Sequence, residues 1–157
     1  MSNPTNARRR MPTFNHVAMS VPADLLAEQS RGEILRFYGE VFGWTEMPTM
    51  TRDRELLVLR AWSNENFVYL HASPEPMRTE GSEHFGLSVA TPAELDALYE
   101  RAGKARERDP RVELHPRQLE DFRVLKLHSF YVRYLLPLMI EVQCFEWAPG
   151  FDAQRTA

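Results

Sequence analysis

The chain has 157 residues, 43% hydrophobic and 26% charged, which suits one compact domain with a sizeable core. A formal charge of -3 gives no electrostatic ground for a nucleic-acid partner, and the single cysteine, Cys144, excludes an intrachain disulfide and a cysteine-rich zinc site. No apolar run approaches the roughly 18 residues of a membrane span, and no signal-peptide core stands near the start. A cytoplasmic protein with no membrane partner is therefore expected.

Residues 1–12 read as a flexible polar arm in which Arg8, Arg9 and Arg10 are solvated. A strand over about 14–21 follows, stopped by Pro22. Ile34, Phe37, Tyr38, Val41 and Phe42 make one apolar stripe at helical spacing, which predicts a helix over about 32–42 with Gly43 as a left-handed stop. Three strands are then expected, over about 44–50, 56–62 and 66–72, with polar turns between them.

Residues 74–82 are rich in Pro and polar residues and read as a linker. The plan then repeats: a strand over about 84–90, and a helix opened by Thr91-Pro92-Ala93-Glu94, which has the N-cap, first-position proline and third-position glutamate of a capping box. Its stripe is Leu95, Leu98, Tyr99 and Ala102, and Gly103 is expected to end it. Strands over about 112–116, 124–134 and 139–147 complete the half, and 148–157 form a C-terminal tail.

The two halves share a phrase. His16-Val17-Ala18-Met19-Ser20-Val21 returns as His84-Phe85-Gly86-Leu87-Ser88-Val89. The repeat unit is far longer than that of a solenoid, so it reads as one duplicated module. The expected fold is α+β: two tandem βαβββ modules, 13–73 and 83–147, pairing in a single domain into a curved mixed sheet with helices outside and a central cavity.

Strand alternation assigns the faces. If Val17, Met19 and Val21 pack under the first helix, His16, Ala18 and Ser20 face the cavity. By the same parity His84, Gly86 and Ser88 face it, and so do Glu141, Gln143 and Phe145. Glu141 lies among Met139, Ile140 and Val142, where a carboxylate is costly unless it is paired or binds a cation. Two imidazoles and one carboxylate suit Fe(II), Mn(II) or Zn(II) with positions open to a bidentate oxygen ligand. Cys144 falls on the packed face, and His115 and His128 are most simply surface residues of the sheet. No phosphate-cradling glycine loop is present, so no nucleotide cofactor is expected.

These residues, with Phe37-Tyr38-Gly39-Glu40-Val41-Phe42-Gly43-Trp44 and Ile140-Glu141-Val142, resemble the vicinal oxygen chelate superfamily over about 14–147. That superfamily includes glyoxalases, extradiol dioxygenases, methylmalonyl-CoA epimerases, fosfomycin-modifying enzymes and bleomycin-resistance binding proteins. The resemblance implies a divalent metal held by His16, His84 and Glu141, a small-molecule substrate and a homodimer.

Glyoxalases and epimerases of the superfamily add a fourth ligand, Glu or Gln, in the last strand of the first module. Tyr69 stands there, and a neutral phenol is a poor ligand. The usual Asp-Pro-Asp/Asn-Gly turn before the final ligand is replaced by Leu135-Leu136-Pro137-Leu138. A three-ligand set resembles the extradiol dioxygenases more, and this implies catalytic roles for His71 and Tyr131, with Phe67, Tyr69, Gln143 and Phe145 lining the substrate site. Dioxygenase-like chemistry is slightly favoured. A glyoxalase-like lyase or isomerase and a metal-free protein that sequesters an antibiotic or metabolite are the alternatives.

Overall fold

The structure is a computed structural model that describes residues 13–151. The expected N-terminal arm and the last six residues of the expected tail lie outside the described residues.

The first module contains β1 (His16–Val21), α1 (Glu28–Phe42), β2 (Thr45–Glu46), β3 (Leu56–Ser63) and β4 (Asn66–Ala72). The second contains β5 (His84–Val89), α2 (Pro92–Arg108), β6 (Glu113–Leu114), β7 (Gln118–Asp121), β8 (Leu125–Arg133) and β9 (Met139–Trp147). The sheets run β1-β4-β3-β2 and β5-β9-β8-β6, with β7 also paired to β8. In each, the first strand pairs in parallel with the last, and the remaining neighbours are antiparallel. The fold is thus α+β, built from two copies of one topology.

Alternation decides which face is buried. Met19, Val21, Leu57, Leu59, Val68 and Leu70 are buried in the first module, and Phe130, Val132, Ile140, Val142 and Cys144 in the second. Each large apolar side chain so buried contributes about 1.5–3 kcal/mol. His16, Ala18, His84, Gly86 and Ser88 stay exposed on the opposite faces.

Helix limits differ from expectation. α1 begins at Glu28 because Glu28, Gln29, Ser30 and Arg31 extend it without a breaker. It stops as predicted at Gly43, which takes φ 75° while the Trp44 amide donates to the Tyr38 carbonyl at 3.2 Å. α2 opens with the expected capping box, the Glu94 amide donating to Thr91 Oγ1 at 3.2 Å. It does not end at Gly103. Ala102 and Ala105 continue the buried stripe and Lys104 pairs with Glu100, which offsets the roughly 1 kcal/mol that a helical glycine costs.

Two strands are shorter than expected. β2 gives way to a 3-10 turn at Pro48–Met50, since proline cannot donate to the ladder. The strand expected over 112–116 is interrupted and resumes as β7. The His115 amide still donates to the Tyr131 carbonyl at 2.9 Å, but Gln118 already pairs with Ser129. One extra residue is thus inserted around Pro116 and Arg117, which is a β-bulge.

The modules meet through their helices. Tyr38 Oη donates to the Tyr134 carbonyl at 3.0 Å and accepts from the Tyr134 amide at 3.4 Å, and the Phe37 and Tyr134 rings lie 4.8 Å apart. Arg101 Nε donates to the Val41 carbonyl at 3.0 Å, and Arg108 pairs with Glu40. One apolar cluster runs through both modules. The expected cavity between inward-facing half-sheets is accordingly not closed within one chain. The aromatic side of α1 is buried best against α2 and the β8–β9 turn, so the two helices pack together and the histidine-bearing faces remain open.

Candidate functional site

The second module assembles a compact polar cluster on its open face. His84 opens β5 beside Met139, Gly86 pairs with Glu141, and Glu141 pairs across β9–β8 with Tyr131. His84 Nε2 lies 3.2 Å from Glu141 Oε2. Tyr131 Oη donates to the other carboxylate oxygen, Oε1, at 2.7 Å. The Tyr131 ring stands edge-on to the His84 ring, with centroids 5.3 Å apart. Glu141 is 8% exposed, so its charge is partly stripped of water. Burial and the neighbouring Glu141 push the Tyr131 phenol up to about 12, which keeps it a donor at neutral pH.

The other ring nitrogen fixes the tautomer. His84 Nδ1 lies 2.8 Å from the Ser82 carbonyl oxygen, which can only accept. Nδ1 therefore carries the hydrogen, and neutral His84 presents a lone pair at Nε2. His16 repeats the arrangement with the side chain of Asn15, its Nδ1 lying 2.8 Å from Oδ1. Its ring also stacks on Phe67, with centroids 5.0 Å apart and an angle of 8° between planes.

The expected residues thus fall into two groups. Glu141, His84, Tyr131, Gln143 and Phe145 share the open face of the second sheet. His16, Phe67, Tyr69 and His71 share a face of the first, where His16 pairs with Phe67, Ala18 with Tyr69 and Ser20 with His71. His71 is four positions along the strand from Phe67, roughly 13 Å at a strand's rise. Among the described residues, no three His, Cys, Asp or Glu side chains of one chain converge on a point that would hold a metal. The structure brings His84, Glu141 and Tyr131 together and leaves His16 and His71 on the other sheet.

Two features escaped the sequence reading. His128 is not a surface residue: it is 8% exposed, on the face opposite Tyr131. Its Nδ1 accepts from Arg117 at 3.0 Å, its Nε2 contacts Glu146, and Arg117 pairs with Asp96 of α2 at 3.0 Å. Those partners come from three other segments and leave no local signal. His115 lies in a cavity of about 310 Å3 with Gly81, Ser82, His84, Tyr131 and Met139. Its i, i+2 spacing from Glu113 on a predicted strand was the available sign.

The His84–Glu141 pair would offer a divalent cation two donor groups. Nε2 of a neutral His84 and the Oε2 oxygen would both accept at their separation of 3.2 Å, while a protonated imidazole makes the same contact an ion pair. Such an arrangement calls for a shared cation or proton between them. The Tyr131 hydrogen bond and the Ser82 carbonyl hold both groups in that orientation.

No protein-family model and no curated protein matches the sequence. Solved structures do match in shape. A possible glyoxalase from Bacillus cereus is 21% identical, covers 84% of this chain and 98% of its own length, and has a TM-score of 0.57. A glyoxalase/bleomycin resistance protein/dioxygenase from Alicyclobacillus acidocaldarius is 18% identical, with coverage of 95% and 99% and a TM-score of 0.59. The fosfomycin resistance protein FosX from Mesorhizobium loti is 16% identical, with coverage of 94% and 100% and a TM-score of 0.57. Among the described residues, no helix is long and apolar enough to cross a membrane. This chain carries the fold of those glyoxalase, glyoxalase/bleomycin resistance protein/dioxygenase and fosfomycin resistance structures, two paired βαβββ modules.

Proposed function

We propose that the protein is a divalent-metal-dependent enzyme acting on a small molecule that binds the metal through adjacent oxygens. The observation that carries this reading is the His84 Nε2–Glu141 Oε2 contact at 3.2 Å, with the remaining polar atoms of both side chains engaged by Ser82 and Tyr131. His84 and Glu141 would supply two ligands. His16, whose Nδ1 hydrogen bond likewise leaves Nε2 available, would supply the third from a second copy of the chain in a homodimer. Fe(II), Mn(II) and Zn(II) suit this donor set.

When bound, the metal would hold the substrate oxygens and draw electron density from them. The chain's own contribution is orientation. Tyr131 fixes Glu141, Ser82 fixes His84, and Gln143 and Phe145 extend the face along β9. Phe67 and Tyr69 line the face that His16 would bring, and offer flat surfaces to a planar substrate. Tyr69 as a phenol in place of a fourth carboxylate or amide ligand favours dioxygenase-like chemistry over a glyoxalase-like lyase or isomerase reaction.

A second reading has support of its own: the donor set is incomplete within one chain and the face around His16 is aromatic. A metal-free protein sequestering a flat ligand would use the same surface. Metal analysis of protein purified from metal-replete medium separates the two readings. Stoichiometric metal in wild type, lost in Glu141→Ala and His16→Ala, supports the enzyme. Equally little metal in all three overturns it.

A further inference from the structure

We propose that His128 is a proton-operated latch that fixes the bulge at Pro116 and Arg117, and with it the wall of the cavity containing His84. The latch lies on the face of the second sheet opposite the candidate ligands, and it works whether or not a metal is bound.

Its parts are four side chains from four segments. Asp96 of α2 accepts from Arg117 Nε at 3.0 Å, Arg117 Nη2 donates to His128 Nδ1 at 3.0 Å, and His128 Nε2 contacts Glu146 of β9. A guanidinium can only donate and an ionised carboxylate can only accept. His128 therefore stands as the neutral tautomer with its hydrogen on Nε2 and its lone pair on Nδ1.

A proton added at Nδ1 removes the lone pair that Arg117 uses and sets two cations 3.0 Å apart. Glu146 still holds the imidazolium through Nε2, and Asp96 still holds the guanidinium through Nε, so the two cations part without losing their carboxylates. His128 is 8% exposed, which leaves little water to screen the repulsion.

Little else ties the bulge to the sheet. Pro116 has no amide hydrogen. Among the described residues, the polar contacts of Arg117 are those of its side chain with His128 and Asp96. Immediately before the bulge the His115 amide donates to the Tyr131 carbonyl at 2.9 Å, and immediately after it Gln118 pairs with Ser129. His115 lines the cavity of about 310 Å3 together with His84 and Tyr131. Releasing Arg117 from β8 thus loosens that wall, and acidification opens the face that carries the candidate site.

The other titratable groups around His128 are Glu146 and Cys144 from β9, Asp96 from α2, Arg117 from the bulge, and Lys126 from β8 itself. Tyr99 of α2 lies against Phe130, and Asp121 of β7 pairs with Lys126. Carboxyl groups ordinarily titrate below pH 5, and thiol, phenol, ammonium and guanidinium groups above pH 8. An imidazole is the group in this set whose charge changes between those limits.

The test uses the full chain. Imidazole 15N signals and the protection factor of the His115 amide against hydrogen exchange are followed from pH 8 to pH 5 in wild type, His128→Gln and Arg117→Ala. The glutamine amide offers both an acceptor to Arg117 and a donor to Glu146, yet takes up no proton. In wild type, protonation of His128 should lower the His115 protection factor about tenfold over the same pH range. Protection should stay high and flat in His128→Gln, and low and flat in Arg117→Ala. A wild-type protection factor that does not follow the His128 signal overturns the latch, as does a His128 that stays neutral down to pH 5. A loss on acidification that survives in His128→Gln belongs to another group and overturns it too. Should His128→Gln fail to fold, wild type and Arg117→Ala decide alone, and high protection in Arg117→Ala at pH 8 overturns the proposal.

Discussion

His84 and Glu141, on strands that pair in parallel, face each other through Nε2 and Oε2 at 3.2 Å with their other polar atoms already engaged by Ser82 and Tyr131. Neither side chain is free to turn away without giving up a hydrogen bond. Replacing Tyr131 by Phe removes the donor to Oε1 and leaves the ligands themselves intact. Metal affinity should fall about 10–100-fold, as for other groups that orient a ligand. Calorimetric titration with Mn(II) or Zn(II) measures this, and an unchanged affinity would show that the phenol does not orient Glu141.

Whether His16 reaches the site from another copy has a simple test. His16→Ala and Glu141→Ala proteins are unfolded together, refolded and assayed for metal. In a two-fold dimer with shared sites, about one site in four regains a full donor set. If each site is built within one chain, mixing restores none.

Asp109 gives the clearest pH dependence of stability. Arg111 and then the Tyr134 hydroxyl hold its carboxyl well below the usual carboxylate range. A depressed value means that the unfolded chain takes up this proton first as the pH falls. The stabilisation is therefore complete above the unfolded value of about 4 and is lost progressively below it. Thermal melts across the acidic range should show a flatter decline for Asp109→Asn than for wild type. Parallel declines would mean that the Arg111 contact does not persist in solution.

Tyr38→Phe tests the junction between modules. It takes the acceptor from the Tyr134 amide in a buried position, while the Tyr134 carbonyl keeps the Leu136 amide at 2.8 Å, and the orphaned amide costs about 1–3 kcal/mol. Urea denaturation should show a lower midpoint with an unchanged slope. A loss below about half a kcal/mol would mean that water reaches the Tyr134 backbone.

The periodic parts of this molecule were legible in the sequence. Strand parity placed Met19 and Val21 under the helix and His16 on the opposite face of the strand, and the Thr91–Glu94 capping box forms as its spacing requires. Local chemistry was also enough for the left-handed stop at Gly43. Gly103 misled, because a glycine inside a helix is penalised but tolerated when Ala102 and Ala105 are buried on either side of it. The bulge after His115 and the network around His128 depend on partners far along the chain. His84 and Glu141 could be grouped by parity, whereas Tyr131 entered through the resemblance. The placement of His16 relative to them depends on how whole modules pack, and helix–helix contact governs that.

The Tyr38–Tyr134 bond also bears on what a half of this chain is. The repeated phrase marks two units by descent, yet the apolar cluster passes through both and α1 is finished only by residues of the second half. Neither half therefore holds a complete interior. A cut in the linker should yield two fragments that stay unfolded apart and regain structure when recombined, melting in a single transition. Duplication here copied a pattern of strands, and thermodynamic independence did not come with it.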